Sequence, residues 1–248
     1  MSAVDRAVAR LQEAEATGVP CAPVRDLVGV DVDLAYAVQQ RLIADRVAAG
    51  SRVIGRKIGL TSAAVQRQLG VDRPDFGVLL DDMDVSALAE VPSARLLQPK
   101  AEAELAFVLG DDLAPTHVAA ALEIVDSRIR GWDITLADTV ADNASSGLFV
   151  VGELVPIGAV VPREVTMRLY ADGELVSQGS GADCLGDPLV ALDWLARTAA
   201  AFGNPLRPGQ VVLSGALGPM VPTPPGTRIH AEIDGVGSVD AHFSKETR

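Results

Sequence analysis

The chain has 248 residues, 48% of them apolar, enough to bury a substantial core, and 21 basic against 33 acidic residues give a net charge of −12. That balance excludes nucleic acid and anionic membrane surfaces as partners, because both demand clustered Lys and Arg. Cys21 and Cys184 have neither CxxC spacing nor a nearby His, which argues against a disulfide framework or a Cys-ligated zinc site and for buried thiols.

The opening residues, MSAVDRAVARLQEAEATG, lack an apolar leader and a cleavage pattern, and no later run approaches the roughly 18 to 20 uncharged residues of a membrane helix. A cytoplasmic protein is expected. Good helix formers over 2–17 stop at Gly18, and Leu34, Val38, Leu42 and Val47 recur at helical spacing over 34–50 before Gly50. From about residue 76 the texture changes to short β-prone runs punctuated by Gly and Pro, so residues 1–75 are read as a helical N-terminal part and 76–248 as a β-rich body, one functional unit. Asp172-Gly173 within LYADGELVSQ predicts a tight hairpin, since a type I′ turn needs positive φ at both positions. One helix interrupts the strands. Asp187 caps it, Pro188 occupies its first turn, Gly203 follows its end, and Leu189, Leu192, Leu195 and Ala199 form its buried stripe. QVVLSGALGPMVP and TRIHAEIDGVGSVDAHF supply closing strands, and the fold class is α+β.

The segment PKAEAELAFVLG, residues 99–110, is ambiguous by composition, because Ala, Glu, Leu and Lys all favour helix. As a strand it would place Lys100, Glu102 and Glu104 on one face about 6.6 Å apart, with Ala101, Ala103, Leu105, Phe107 and Leu109 on the other. Two adjacent carboxylates repel unless water screens them, a proton neutralises one, or a cation lies between them. A solvated face and a cation site are both open on this segment alone. Glu123, between Leu122 and Ile124, adds a third carboxylate in a setting where an unpaired charge is costly. Three carboxylates without local His or Cys describe an all-oxygen site for Mg²⁺ or Mn²⁺. His117, His230 and His242 are scattered and read as structural or surface residues.

GRKIGLTS (55–62), RPDFGVLLDDM (73–83), PKAEAELAFVL (99–109), LEIVDSRI (122–129), DNASSGLFVVG (142–152), GDPLVALDWLA (186–196) and LSGALGPMVP (213–222) together resemble the 2-keto-4-pentenoate hydratases. That group lies within the fumarylacetoacetate hydrolase superfamily and also contains the 4-oxalocrotonate decarboxylases. The resemblance implies a mixed β-roll catalytic body, a homo-oligomer, and Mg²⁺ or Mn²⁺ held by Glu102, Glu104 and Glu123. It implies acid and base roles for Lys57 and Asp75 and a substrate contact for Ser145. Ser214 and Gly215, in a Gly-rich bend, are weaker candidates for holding a substrate carboxylate on backbone amides. Without the resemblance, Lys57 would be read as a salt-bridged surface lysine and Asp75 as a turn residue. Burial beside a cation would lower the Lys57 amine towards neutrality. Ser145 and Ser146 lack a G-x-S-x-G elbow, so hydrogen bonding is expected of them and not nucleophilic attack.

The implied substrate is a short 2-hydroxy-2,4-dienoate, hydrated to a 4-hydroxy-2-oxo acid. Decarboxylation of a 2-oxo-3-enedioate is the nearest alternative, and carbon–carbon hydrolysis of an acylpyruvate a more distant one. A noncatalytic partner subunit of a hydratase/decarboxylase complex is the alternative from another class.

Overall fold

The computed structural model describes residues 1–62, 66, 71 and 73–247. Helix α1 (Ala3–Thr17) is capped by the Ser2–Asp5 capping box and ends on Gly18 with φ 72°. A four-residue turn α2 (Arg25–Val28) follows, then α3 (Val32–Ala48), whose cap Asp31 accepts from Leu34 N–H.

Among the described residues, twelve strands make two sheets. The larger orders β2 (Asp75–Leu80), β1 (Val53–Gly59), β9 (Val211–Leu213), β3 (Lys100–Leu109), β4 (Pro115–Val125) and β5 (Ser146–Val151). Off this path, β10 (Val221–Pro222) pairs with β3 and β6 (Val155–Pro156) with β4. Only β1 and β9 run parallel among these pairs. The smaller sheet orders β12 (Gly237–His242), β11 (Arg228–Ile233), β7 (Thr166–Ala171) and β8 (Glu174–Ser180), all antiparallel. Its inward residues Met167, Leu169, Ile229, Ala231 and Val239 join one core with Phe107, Leu122 and Ile124 of the larger sheet.

Most elements fall where the sequence puts them. Asp172 and Gly173, with φ of 51° and 87°, make the β7–β8 hairpin turn. The helix Pro188–Ala201 has Asp187 as its cap, accepting from Leu189 N–H, and Gly203 lies just past its end with φ 76°. Leu192, Leu195 and Ala199 are buried, and Leu189 packs partly buried against the same core.

The division at residue 75 requires correction. β1 lies inside the segment expected to be helical, yet it is an inner strand of the larger sheet, between β2 and β9. Its partner β9 is more than 150 residues away in sequence, so no local pattern identifies the pairing. Helix α3 ends at Ala48 and joins the N-terminal helices to the sheet. There Tyr36 stacks on Phe76 at 4.7 Å between ring centroids, and the Gln39 side chain donates to the carbonyls of Phe76 and Val140. The two parts are joined in that both contribute to the larger hydrophobic cluster, beside which a smaller one forms around Leu79, Leu80, Met83 and Phe149.

Candidate metal centre and active site

Residues Lys100 to Leu109 form the strand reading of the ambiguous segment, and the hairpin with β4 fixes what it faces. Register sets Glu102 directly opposite Glu123, and Glu104 opposite Ala121, whose small side chain leaves room. One carboxylate oxygen from each of Glu102, Glu104 and Glu123 lies within 4.8 Å of the others. Glu104 and Glu123 are fully buried and Glu102 half-buried. Cross-strand like charges normally destabilise a sheet, and here they are also removed from water.

Their hydrogen bonding is incomplete. Glu104 Oε2 accepts from the Gly215 N–H at 2.9 Å, whereas Glu104 Oε1 and Glu123 Oε2 are buried without a hydrogen-bond donor among the described residues. Burial and the neighbouring carboxylates push Glu102 up to about 7 and Glu104 well above the ordinary carboxylate range. Orphaned, buried, converging oxygens with no nitrogen or sulfur among them fit a hard divalent cation, so these three residues are the ones that could hold one.

Lys57 enters from β1, on the sheet face it shares with the cluster, and its Nζ lies 3.0 Å from Glu123 Oε1. It is buried, not a surface lysine. The drop towards neutrality is expected beside a bound cation; the metal-free cluster acts on the amine differently. Burial pulls the amine down, but Glu123, Asp75, Glu102 and Glu104 together outweigh it and hold the pKa above the usual lysine value. In the metal-free cluster its Nζ is placed as the counter-charge of the carboxylates.

Asp75 is the first residue of β2, 1% exposed, and pushed up to about 6 by burial, against the opposing pull of Lys57. Its Oδ1 has no hydrogen-bond donor among the described residues. It occupies space that only a glycine leaves free: a Cβ on Gly59 would lie 2.2 Å from Asp75 Oδ1 and 3.6 Å from Lys57 Nζ. Lys57 and Asp75 thus flank one glycine on adjacent strands.

Ser145 is buried in a tight turn in which Asn143, Ala144 and Ser145 all have φ of 53°, three consecutive left-handed residues without a glycine. The turn is held from two sides. The Asn143 amide exchanges hydrogen bonds with the Val78 backbone of β2 at 2.8 and 2.9 Å. Behind it, Arg128 is paired with Asp142 at 2.6 Å and also donates to the carbonyls of Ser146 and Asp142. The Ser145 hydroxyl lies 3.2 Å from Thr139 Oγ1, which contacts Asp75 Oδ2 at 3.4 Å.

Ser214 and Gly215 are placed differently from expectation. The Ser214 hydroxyl accepts from Leu105 N–H and donates to the Gly215 carbonyl, while the Gly215 amide holds Glu104. Both are engaged in fixing β3 and its carboxylate. His117 and His242 lie on strand surfaces, and His230 is 2.9 Å from Asp240 on the smaller sheet. Both cysteines are free thiols. Sequence reasoning missed Gly59, Thr139, Asn143 and the Arg128–Asp142 pair. The signal for most of them was the polar run DTVADNASS in a buried setting.

Comparison with known proteins agrees with this geometry. The family model for the fumarylacetoacetate (FAA) hydrolase C-terminal region matches residues 62–244. The chain belongs to the fumarylacetoacetate hydrolase family, and within it to the group of the 2-keto-4-pentenoate hydratases. It is 50% identical to the 2-keto-4-pentenoate hydratase of Paraburkholderia xenovorans (strain LB400) over 254 residues, spanning 96% of this chain and 94% of that protein. The enzyme of the same description from Burkholderia vietnamiensis (strain G4 / LMG 22486) is 51% identical over 251 residues, 96% of each. Among solved structures, the 4-oxalocrotonate decarboxylase of Pseudomonas putida G7, complexed with magnesium and adipate, superposes with a TM-score of 0.90 at 30% identity, covering 96% of this chain and 97% of that one.

Proposed function

We propose that the protein is a divalent-metal-dependent hydro-lyase that adds water to 2-hydroxypenta-2,4-dienoate or a short analogue, giving 4-hydroxy-2-oxopentanoate. The observation that carries this is the meeting of Glu102, Glu104 and Glu123 within 4.8 Å beside Lys57, in a chain half identical to hydratases over nearly its whole length. Mg²⁺ or Mn²⁺ held by those three carboxylates would supply Lewis-acid polarisation of a 2-oxo acid.

The protein's own groups handle the protons. Ketonisation removes a proton from the 2-hydroxyl and delivers one to C5; hydration brings water oxygen to C4 and a proton to C3. Lys57, its Nζ 3.0 Å from Glu123, is placed beside the carboxylate cluster to exchange a proton with the substrate and to balance charge developing on it. Asp75, poised near 6 with Oδ1 free, is the group able to take a proton from water and return it. Ser145 offers a hydroxyl from a rigid turn to orient substrate.

The decarboxylase reading draws support from the overall superposition on the Pseudomonas putida enzyme, but at 30% identity against 50% for the hydratases. We place the protein in the cytoplasm as a homo-oligomer; among the described residues no helix is long and apolar enough to cross a membrane, and light scattering gives the subunit count. The deciding experiment strips the protein with chelator, restores Mg²⁺ or Mn²⁺, and follows loss of dienol absorbance with NMR of the product. Undiminished turnover in excess chelator, or CO₂ release from an enedioate with no hydration of the dienoate, would sink the proposal.

A further inference from the structure

Thr139 stands in the buried helix Leu136–Ala141, 4% exposed. A threonine inside a helix ordinarily returns its hydroxyl to the carbonyl four residues back. That carbonyl, Thr135 O, accepts the Thr139 N–H, while Thr139 Oγ1 reaches Asp75 Oδ2 at 3.4 Å and Ser145 Oγ at 3.2 Å. All three groups are at least nine-tenths buried, and each comes from a separate element.

We infer that Thr139 relays a proton between the Asp75 carboxyl and the Ser145 hydroxyl, so that Asp75 acts on the substrate through a chain of two hydroxyls. This rests on the acid–base role proposed above for Asp75. A hydroxyl carries one proton, so the chain has two directions. With Asp75 ionised, Thr139 donates to Asp75, Ser145 donates to Thr139, and Ser145 presents lone pairs to its other neighbour. With Asp75 protonated, Asp75 donates to Thr139, Thr139 donates to Ser145, and the Ser145 proton is free to be given away.

Passing from the second state to the first breaks three O–H bonds, at Asp75, Thr139 and Ser145. It forms one O–H bond on Thr139, one on Ser145 and one new bond from hydrogen to the accepting substrate atom. Asp75 is left as carboxylate and both hydroxyls are restored, so one proton moves in all. The return passage takes a proton from water. The spacings exceed the 2.7–2.8 Å usual for O–H···O, as is common before a substrate draws catalytic hydrogen bonds tight. The left-handed turn that holds Ser145 serves this arrangement, since it keeps the far end of the chain fixed.

Steady-state kinetics of metal-saturated Thr139→Val, Thr139→Ser and Asp75→Asn proteins, with solvent deuterium isotope effects, test the relay. Valine keeps the shape and removes the proton carrier. It should lower kcat at least about tenfold with KM within about threefold, leave Mn²⁺ affinity by electron paramagnetic resonance unchanged, and alter the isotope effect. Serine should restore kcat to within about threefold, and adding Thr139→Val to Asp75→Asn should slow the enzyme no further. Should valine unfold the helix, Thr139→Ala is measured in the same way. A wild-type rate in Thr139→Val beside a slow Asp75→Asn overturns the relay and leaves the hydratase reading intact. Failure of serine to restore the rate overturns it as a packing effect. A wild-type rate in Asp75→Asn removes the role of Asp75 itself, and the relay with it.

Discussion

The two sheets carry charge in opposite ways. On the smaller sheet, buried Met167, Leu169, Ile229, Ala231 and Ile233 alternate with partly exposed Arg168, Tyr170, His230 and Glu232. Its charges are paired at the surface, Arg168 with Glu232 and Asp234, His230 with Asp240. β3 of the larger sheet shows the same alternation, but its charged face is drawn inward as well, with Glu104 buried and Lys100 and Glu102 half-buried. Glu104 and Glu123 there have oxygens with no donor among the described residues. Period-two patterning therefore says which residues share a face and nothing about whether that face meets water. The second fact separates a solvated ladder from a site, because buried carboxylates with incomplete partners persist only where something other than folding selects for them.

Breaking the larger sheet's arrangement should have the largest effects. Glu104→Gln is expected to reduce metal-dependent turnover by about a thousandfold, the loss of several kcal/mol of charge stabilisation, while the metal-free melting temperature stays level or rises. A clear drop in that temperature would make Glu104 a structural residue. Lys57→Met should lower kcat by roughly 10² to 10⁴. It should also destabilise the metal-free fold by about 3–5 kcal/mol, measured by urea denaturation, because it leaves buried carboxylates without their cation. Partial recovery on adding Mn²⁺ is expected.

Proton competition gives a gentler effect of definite sign. Glu102 is raised from the ordinary value to about 7, so it is protonated over much of the range from about 4.5 to 7 in the metal-free protein. The fold is then favoured at low pH by this group, and that contribution is lost as pH rises through 7. Metal needs the carboxylate, so Mn²⁺ affinity should fall, by up to about tenfold per proton displaced per pH unit, between pH 7.5 and 6. Calorimetry at the two values checks this; an affinity that does not change with pH would show that Glu102 binds no proton. The smallest effect belongs to the smaller sheet. Gly173→Ala, at φ 87°, should cost about 1–2 kcal/mol of stability by thermal melting and leave kcat/KM unchanged. A fall in activity would mean the two sheets are not separable in function.

Much of the site was legible in the sequence because its carboxylates lie on one hairpin. Glu102 and Glu104 announce themselves by spacing, and Glu123 by its apolar neighbours, although only the β3–β4 register shows it opposite Glu102. The Asp172-Gly173 turn and the Asp187-capped helix were legible because their signals are local. What escaped depends on distant pairing. Strand β1 has residues 75–80 and 211–213 as its neighbours, so the chain there reads as an extension of the helical part, and its Lys57 is singled out only through the family resemblance. Thr139 escaped for another reason: its importance lies in what its hydroxyl does not do within its own helix, and composition carries no trace of that.

The β3–β4 hairpin also sets where this enzyme can change length. Its tip, near Gly110 to Ala114, lies several rungs from the carboxylates, beyond an irregularity in pairing between Val108 and Leu109. Residues added there alter an exposed loop and are thermodynamically mild. A single residue inserted between Glu104 and Val108 would instead carry every later side chain of the strand to the opposite surface. Drift in loop length is thus tolerated at one end of the hairpin and forbidden at the other, and the ladder acts as a ruler that keeps three acids at a common point.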